Sequence, residues 1–294
     1  MAGNDLEAIM PLTTRGSKES DDLRRAAMLL RSLRARFDGP APLRIWIATP
    51  GGDVEMTREA LARYGGDTLD IAVVDEGAVI PGLGTLDCGG WHRQQLVKLG
   101  APRLSDARWW MTLDADLLCL RRWSPSDLIV RGRGKMARAP VLSDMIRGWI
   151  HDSAALLCYP RPSARNSMGV TPVLYCRDIL EAMWARVESL YRVPWWIALA
   201  ARTKPPGWSE QGLYEAVGRH EDLIARCHVV RSAASGGGLT DRRSLFDTTD
   251  LDADRLEAAF FDGRAGYFVV CSSYLVTTDS LEAVVEPLLD RAAI

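Results

Sequence analysis

Short apolar runs and helical repeats alternate along the first part of the sequence. The apolar runs have the length of buried strands and occur at residues 8–13, 43–48, 70–74 and 108–113. Between them, apolar residues recur every three or four positions and predict helices at residues 20–37, 53–64 and 91–100. Strands that alternate with helices in this way predict an α/β domain, with a mainly parallel sheet and helices on both of its faces.

The pattern after residue 120 is less regular. It predicts strands at residues 135–139, 173–176 and 267–271. It predicts helices at residues 143–155, 178–192, 208–219 and 253–262, and a last helix from Ser280. Residues 232–240 read Ser-Ala-Ala-Ser-Gly-Gly-Gly-Leu-Thr and predict a flexible loop, which suits a lid over an active site or an ordinary surface linker. The change of pattern divides the sequence into residues 1–120 and 121–294, packed as one continuous domain.

The composition is that of an ordinary globular protein, with 294 residues, 47% of them hydrophobic and 25% charged. A formal net charge of -2 supplies no overall attraction for nucleic acid or for an anionic membrane, so no nucleic-acid partner is expected. No apolar run approaches the roughly 20 residues of a membrane-spanning helix, which leaves peripheral contact as the expected form of any membrane association. The acidic N-terminus lacks the features of a secretory signal, and the six scattered cysteines include no Cys-x-x-Cys pair. We therefore expect a cytoplasmic location.

Two aspartates follow the fourth predicted strand. Residues 109–116 read Trp-Trp-Met-Thr-Leu-Asp-Ala-Asp, so one small residue separates Asp114 from Asp116. On an extended strand, residues i and i+2 point to the same face, where the two carboxylates would converge. Mg²⁺ and Mn²⁺ prefer oxygen ligands and are often held by one or two carboxylates together with substrate phosphates. The motif therefore predicts a divalent-metal site, although two acids that only end a strand and begin a turn fit the same residues.

Polar and flexible residues also follow the other three predicted strands. They are Thr13 and Thr14, the Thr-Pro-Gly-Gly of residues 49–52, and Asp75 and Glu76. Ligands of open parallel sheets bind outside the carboxyl ends of the strands, so this edge is where a nucleotide is expected. The motif G-x-x-x-x-G-K-[ST] is absent, and residues 13–18 (Thr-Thr-Arg-Gly-Ser-Lys) offer only a short basic loop.

Three further stretches, together with the Asp-x-Asp motif, carry a resemblance to a known family. They are Gly-Trp-His-Arg-Gln-Gln-Leu-Val-Lys-Leu at residues 90–99, Val-Thr-Pro-Val-Leu at residues 170–174, and Trp-Ser-Glu-Gln-Gly-Leu-Tyr at residues 208–214. In this order they resemble GT-A glycosyltransferases, and in particular a bacterial group of predicted glycosyltransferases with a DxD motif. The resemblance implies a GT-A (Rossmann-like) fold with the DxD motif at the end of the fourth strand. It also implies that residues 1–120 bind a nucleotide-diphosphate sugar and that residues 121–294 bind an acceptor.

The resemblance also implies roles for residues of the donor half. Asp116 would be the principal ligand of Mn²⁺ or Mg²⁺, and Asp114 would contact the donor ribose, or the metal through water. The base and ribose would lie near Thr13, Thr14 and Asp22, with Asp21 an equal alternative to Asp22. The acceptor can be a glycan, a lipid-linked sugar, a protein or a small molecule.

One predicted helix offers three more donor contacts. Gln94, Gln95 and Lys98 lie on helix 91–100, where Gln94 and Lys98 share a face because they are four residues apart. A lysine there would offset the charge of phosphate. The alternative is a solvated helix face above buried leucines.

Glu210 is the candidate catalytic residue, as a general base toward the acceptor hydroxyl or as an anchor for the acceptor. Ser209 followed by Glu210 is also ordinary helix-start chemistry, which would make the pair structural. Trp184, Trp195, Trp196 and Trp208 suit stacking on sugar rings, but tryptophans are more often part of a core.

Other classes of protein fit part of this pattern. Haloacid-dehalogenase-like phosphohydrolases also begin from an apolar strand that ends in Asp-x-Asp, but there the motif follows the first strand. A nucleotidyltransferase would need a richer phosphate loop after its first strand. A non-catalytic nucleotide-sugar-binding module would have little need of a metal site.

Overall fold

The computed structural model describes residues 5–14, 21–168, 171–204, 207–232, 239–240, 244, 251–261, 266–273 and 276–292. The predicted basic loop at residues 15–18 and most of the predicted glycine-rich loop, residues 233–238, lie outside the described residues.

Most strands of the described residues are short. They are β1 (Leu6–Pro11), β2 (Leu43–Thr49), β3 (Leu69–Asp75), β4 (Trp109–Thr112), β5 (Leu117–Cys119), β6 (Ile129–Val130), β7 (Arg133–Pro140), β8 (Asn166–Met168), β9 (Leu174–Cys176), β10 (His228–Ser232) and β11 (Phe268–Val270).

The helices include the long ones expected from the periodicity and several short ones. They are α1 (Asp22–Arg36), α2 (Val54–Leu61), α3 (Glu76–Val79), α4 (Gly90–Gly100), α5 (Pro125–Leu128), α6 (Asp144–Leu156), α7 (Arg177–Tyr191), α8 (Trp195–Ala200), α9 (Glu210–His220), α10 (Leu223–Cys227), α11 (Ala253–Phe261) and α12 (Thr278–Ala292). The short helices α3, α5, α8 and α10 were not predicted, because one turn of helix leaves little periodicity in the sequence.

The central sheet has the strand order β3-β2-β1-β4-β9. Strands β1 to β4 are parallel to their neighbours, and β9 pairs antiparallel with β4. The predicted fold class, α/β with a mixed but mainly parallel sheet flanked by helices, is confirmed. Strand order reverses between β1 and β4, since β2 and β3 lie on one side of β1 and β4 lies on the other. This reversal is the position where open parallel sheets bind ligands.

Residues after 120 add strands to the sheets of the first half and pack against it as part of the same domain. Strand β9 extends the central sheet, and β11 pairs with β5. The guanidinium group of Arg25, 1% exposed, donates hydrogen bonds to the carbonyl of Cys271 (2.8 Å) and to the hydroxyl of Thr278 (3.1 Å). These bonds attach the C-terminal segment to α1.

A smaller sheet lies beside the central one. Strand β7 pairs with β6, β8 and β10, and only the pairing with β10 is parallel. Helices α6 and α9 approach each other closely at Gly212, where an added Cβ atom would lie 2.5 Å from the hydroxyl of Ser153. Among the helices that the structure describes, none has both the length and the apolar character needed to cross a membrane.

Asp53 occupies the N-cap position of α2 without capping the helix through its side chain. Helix α2 begins after a 3-10 turn at Gly51–Asp53, and the Asp53 side chain makes no capping hydrogen bond. Its carboxylate instead accepts a hydrogen bond from the hydroxyl of Thr14 at 2.7 Å. This contact links the carboxyl ends of β1 and β2.

Candidate active site

The Asp-x-Asp motif lies in a turn at the switch point of the sheet. Strand β4 ends at Thr112, and the amide of Leu117 donates to the carbonyl of Asp114 at 3.2 Å. The prediction that Asp114 and Asp116 extend from a strand is therefore wrong in its geometry. The turn still keeps the two carboxylates close enough to interact. The charge of Asp114 raises the pKa of Asp116.

Asp116 is half-buried and bound by the C-terminal segment. Its Oδ2 atom accepts a hydrogen bond from the amide of Ser273 at 3.4 Å. Burial, reinforced by the negative charge of Asp114, raises the pKa of Asp116 to about 7, although Ser273, Arg25 and Lys98 oppose the shift. Two carboxylates that repel each other in a half-buried turn would be relieved by a bound cation.

Lys98 is the buried cation of the site. Its ammonium group lies 2.5 Å from Oδ1 of Asp114 and 3.7 Å from Oε1 of Glu210, and its side chain is 5% exposed. It also lies 3.5 Å from the hydroxyl of Thr171. Burial lowers the pKa of Lys98, but the charges of Asp114 and Glu210 outweigh that effect and raise it above the ordinary value. The lysine therefore stays charged and links the Asp-x-Asp turn to α9.

Glu210 begins α9 with its carboxylate facing the site. Ser209 is the N-cap of α9 and accepts a hydrogen bond from the amide of Gly212 at 3.0 Å. The amide of Glu210 donates to Oε1 of Gln95 at 2.7 Å. Burial raises the pKa of Glu210, Lys98 lowers it and Asp114 raises it further, with a net rise. A buried carboxylate with a raised pKa is a suitable proton acceptor near neutral pH.

Helix α4 presents Gln95 and Lys98 to the site. These residues are three apart and share a face. The side chain of Gln94, four residues before Lys98 on the same helix, forms no hydrogen bond with any residue that the structure describes, and its contact with the donor stays a prediction. The Nε2 atom of Gln95 is buried without a hydrogen-bond partner in the described part of the chain.

Three residues of the site were missed by sequence reasoning. Tyr175 of β9 is fully buried, and its hydroxyl has no hydrogen-bond partner among the described residues. Burial first, then the charges of Glu210 and Asp114, raise its pKa well above the ordinary value. Thr171 contacts Lys98, and Arg25 faces Asp116 from α1. Thr171 was visible within one quoted stretch, but nothing in the sequence marks Tyr175 or Arg25.

The donor set of this site fits a hard divalent cation. Asp114 and Asp116 supply carboxylate oxygens of the kind that Mg²⁺ and Mn²⁺ prefer. Lys98 pairs with one oxygen of Asp114, and within the described ranges the Asp116 carboxylate accepts only the long hydrogen bond from Ser273. With two protein carboxylates, the remaining ligands would come from water and phosphate, which is the usual arrangement for Mg²⁺.

The predicted nucleotide-contacting residues lie beside this turn. Thr13 and Thr14 are half-buried and follow β1 directly. Asp21 caps α1 by accepting from the amide of Arg24 at 3.0 Å, and Asp22 lies in the first turn of α1.

Several other predicted candidates belong to the core. Trp195 and Trp208 are each 1% exposed, and Trp184 stacks on Trp195 with ring centroids 5.6 Å apart. They stabilise the packing of the second half and do not line a sugar site. Both ring nitrogens of His228 are in hydrogen bonds, with the hydroxyl of Tyr214 (2.6 Å) and the carbonyl of Gly134 (3.1 Å), so this histidine has no ring nitrogen left for a metal.

A second cluster of ligand-type side chains lies away from the Asp-x-Asp turn. Ligand atoms of Cys176, Asp178 and Cys227 lie within 4.8 Å of one another. The guanidinium group of Arg108 lies 3.5 Å from the carboxylate of Asp178 and supplies a positive charge there already. A cation would have to compete with that arginine.

The chain belongs to a family of unknown function (DUF6492), which matches residues 3–291. No curated protein matches it by sequence. Among solved structures, mouse xyloside xylosyltransferase 1 in its apo form is similar with a TM-score of 0.45 and 14% identity, covering 94% of this chain and 98% of that chain. Galactosyltransferase LgtC, in complex with donor and acceptor sugar analogues, is similar with a TM-score of 0.47 and 11% identity, covering 97% of this chain and 95% of that chain. Both TM-scores are below 0.5, so support for a function has to come from the side chains of this protein.

Proposed function

We propose that this protein is a metal-dependent GT-A-type glycosyltransferase, which transfers a sugar from a nucleotide-diphosphate sugar to an acceptor hydroxyl. The observation that supports it is the convergence of Asp114, Asp116, Lys98 and Glu210 at the switch point of the sheet. This site combines two carboxylates for a metal, a buried cation for developing phosphate charge and a carboxylate for a proton. In this proposal, residues 1–120 bind the donor and residues 121–294 bind the acceptor.

The donor diphosphate would lie against the turn that holds Asp114 and Asp116. These carboxylates would hold Mn²⁺ or Mg²⁺, which as a Lewis acid stabilises the diphosphate as it leaves. Lys98 is already charged and buried there, so it adds positive potential without reorganisation. Thr13, Thr14 and Asp22 would bind the base and ribose, with Gln94 and Gln95 on the sugar side.

Glu210 would act on the acceptor. The acceptor oxygen forms a bond to the anomeric carbon, the bond from that carbon to the diphosphate oxygen breaks, and the acceptor proton passes to Glu210. The raised pKa of this carboxylate favours proton uptake, and the nearby ammonium of Lys98 keeps it ionised before the reaction.

The direct test is thermal unfolding of the purified protein with nucleoside diphosphates and nucleotide sugars, each with and without Mn²⁺. A ligand that binds the native state at a hundredfold excess over its dissociation constant stabilises it by about 2.7 kcal/mol. The proposal expects a metal-dependent rise in melting temperature with one nucleotide. A panel without any metal-dependent rise would contradict it.

A further inference from the structure

An apolar cavity of about 660 Å³ opens beside the active site. Its walls come from β7, α6, the first turns of α9 and residues 172–174. The side chains that line it are largely aliphatic, thioether or aromatic, among them Met136, Val141, Met145, Ile146 and Trp149. Its volume is within the roughly 300–1,000 Å³ that is usual for small-molecule sites.

One end of the cavity adjoins the groups assigned to the reaction. Ser209 and Gln211, the two sequence neighbours of Glu210, both line it. Pro172 also lines it, and it follows Thr171, whose hydroxyl lies 3.5 Å from the ammonium of Lys98. A molecule in the cavity would therefore have one end close to Glu210.

The cavity wall is unsuited to a bare glycan, because sugar hydroxyls need many hydrogen-bond partners. The carboxylate of Glu215, one of the few polar groups on the wall, is already bound by Arg138 at 2.8 Å and by the amide of Met168 at 3.2 Å. Apolar surface continues out of the cavity at Leu142, which is 90% exposed, and at Met145, which is 57% exposed. Both features favour an occupant with a long apolar chain.

One charged side chain of the cavity wall, Lys135, is available to bind a ligand. Lys135 lines the cavity, and no residue in the described ranges forms an ion pair or hydrogen bond with its ammonium group. A cation beside apolar walls is complementary to an anionic group attached to a hydrocarbon chain.

We propose that this cavity binds the apolar chain of an anionic amphiphile, which is the acceptor class of the enzyme. Lys135 binds the anionic group, and the end that accepts the sugar lies at Glu210. The acceptor role rests on the glycosyltransferase function proposed above, whereas the binding of the amphiphile does not require it.

Binding is tested by calorimetry with octyl, decyl and dodecyl phosphate, below their critical micelle concentrations and without metal or nucleotide. Each added methylene that enters the cavity is expected to raise the affinity by about threefold to fourfold. Met145→Glu places a charge on the wall and is expected to weaken binding by about tenfold or more. Met56→Glu in α2 is the matched control, because Met56 is also a half-exposed helical methionine, at 49%, and lies outside the cavity wall.

The anionic part of the proposal has its own comparison. Lys135→Ala is expected to weaken decyl phosphate and to leave decyl maltoside unchanged. Affinity that does not depend on chain length, equal binding by Met145→Glu and wild type, or no effect of Lys135→Ala on decyl phosphate would each overturn the proposal. The metal-dependent rise in melting temperature with nucleotide is measured on the same protein samples. The result for the donor site is therefore obtained separately from the result for the cavity.

Discussion

The ammonium group of Lys98 lies 2.5 Å from a carboxylate oxygen of Asp114, and this pair connects α4 to the turn after β4. Lys98 is almost completely buried, so its charge is compensated by Asp114 and by Glu210 instead of by water. Removing one positive and two negative groups from water costs desolvation free energy. Their mutual attraction has to offset that cost, which requires well-placed charges.

Removal of the lysine should leave buried carboxylates without a counter-charge. We expect Lys98→Met to lower the free energy of unfolding by about 3–5 kcal/mol, the usual cost of breaking a buried pair from one side. Urea denaturation measures it. Adding Asp114→Asn to Lys98→Met should recover part of this loss; if the two effects are simply additive, the residues do not interact.

Substitution of the metal-site aspartate should separate binding from folding. We expect Asp116→Asn to remove the metal-dependent stabilisation by nucleotide, because an amide is a poorer ligand for a hard cation. The free energy of unfolding without ligand should stay equal or rise, because the charge of the half-buried Asp116 is repelled by that of Asp114. Thermal unfolding with and without Mn²⁺ and nucleotide tests both expectations. If the variant keeps the metal-dependent rise in melting temperature, Asp116 is not a ligand of the metal.

Glu210→Gln should affect turnover much more than donor binding. Loss of a positioned proton acceptor typically costs about 10²- to 10⁴-fold in rate. The rate is measured as release of nucleoside diphosphate from whichever nucleotide sugar binds, and donor affinity is measured on the same variant. Glu181→Gln, which changes a half-exposed carboxylate on α7, is the control. If Glu210→Gln keeps its turnover and loses only stability, Glu210 has the structural role of a helix start.

Acid should destabilise the protein through His228. Burial lowers the pKa of His228 to about 4, below its ordinary value of 6.5. Between these values the unfolded chain binds a proton that the native state excludes, so stability falls as the pH decreases from 6.5 to 4, by about 3 kcal/mol. Urea denaturation across this range should show a smaller loss for His228→Gln than for wild type. Equal pH dependence of the two proteins would exclude His228 as the cause.

The contact of α6 with α9 should not tolerate a side chain at Gly212. An added Cβ atom would lie 2.5 Å from the hydroxyl of Ser153, so we expect Gly212→Ala to cost about 1–3 kcal/mol. Gly52→Ala is the matched control, because a Cβ atom there would have nothing within 4 Å. Chemical denaturation gives the free energy of unfolding of both variants. Equal values would mean that α6 and α9 move apart without cost to accommodate the added methyl group.

The sequence by itself determined the regular elements and the type of sheet. Apolar runs and helical repeats are local patterns, so they located the parallel strands, α1, α4, α7 and α9 to within a few residues. The Asp-x-Asp spacing is local as well, and it identified Asp114 and Asp116 as one unit. These local patterns carry no information about contacts between residues that are far apart in the sequence.

Only the tertiary structure decided which side chains meet. The bond from the amide of Glu210 to Gln95 joins residues 115 positions apart, and the bond from Arg25 to Cys271 joins residues 246 positions apart. The contact of Gln95 with Glu210, and the turn in which Asp116 accepts a hydrogen bond from Ser273, follow from how α4 and the C-terminal segment pack on the sheet. Such contacts depend on strand order and on the burial of whole elements, which no local spacing of residues specifies.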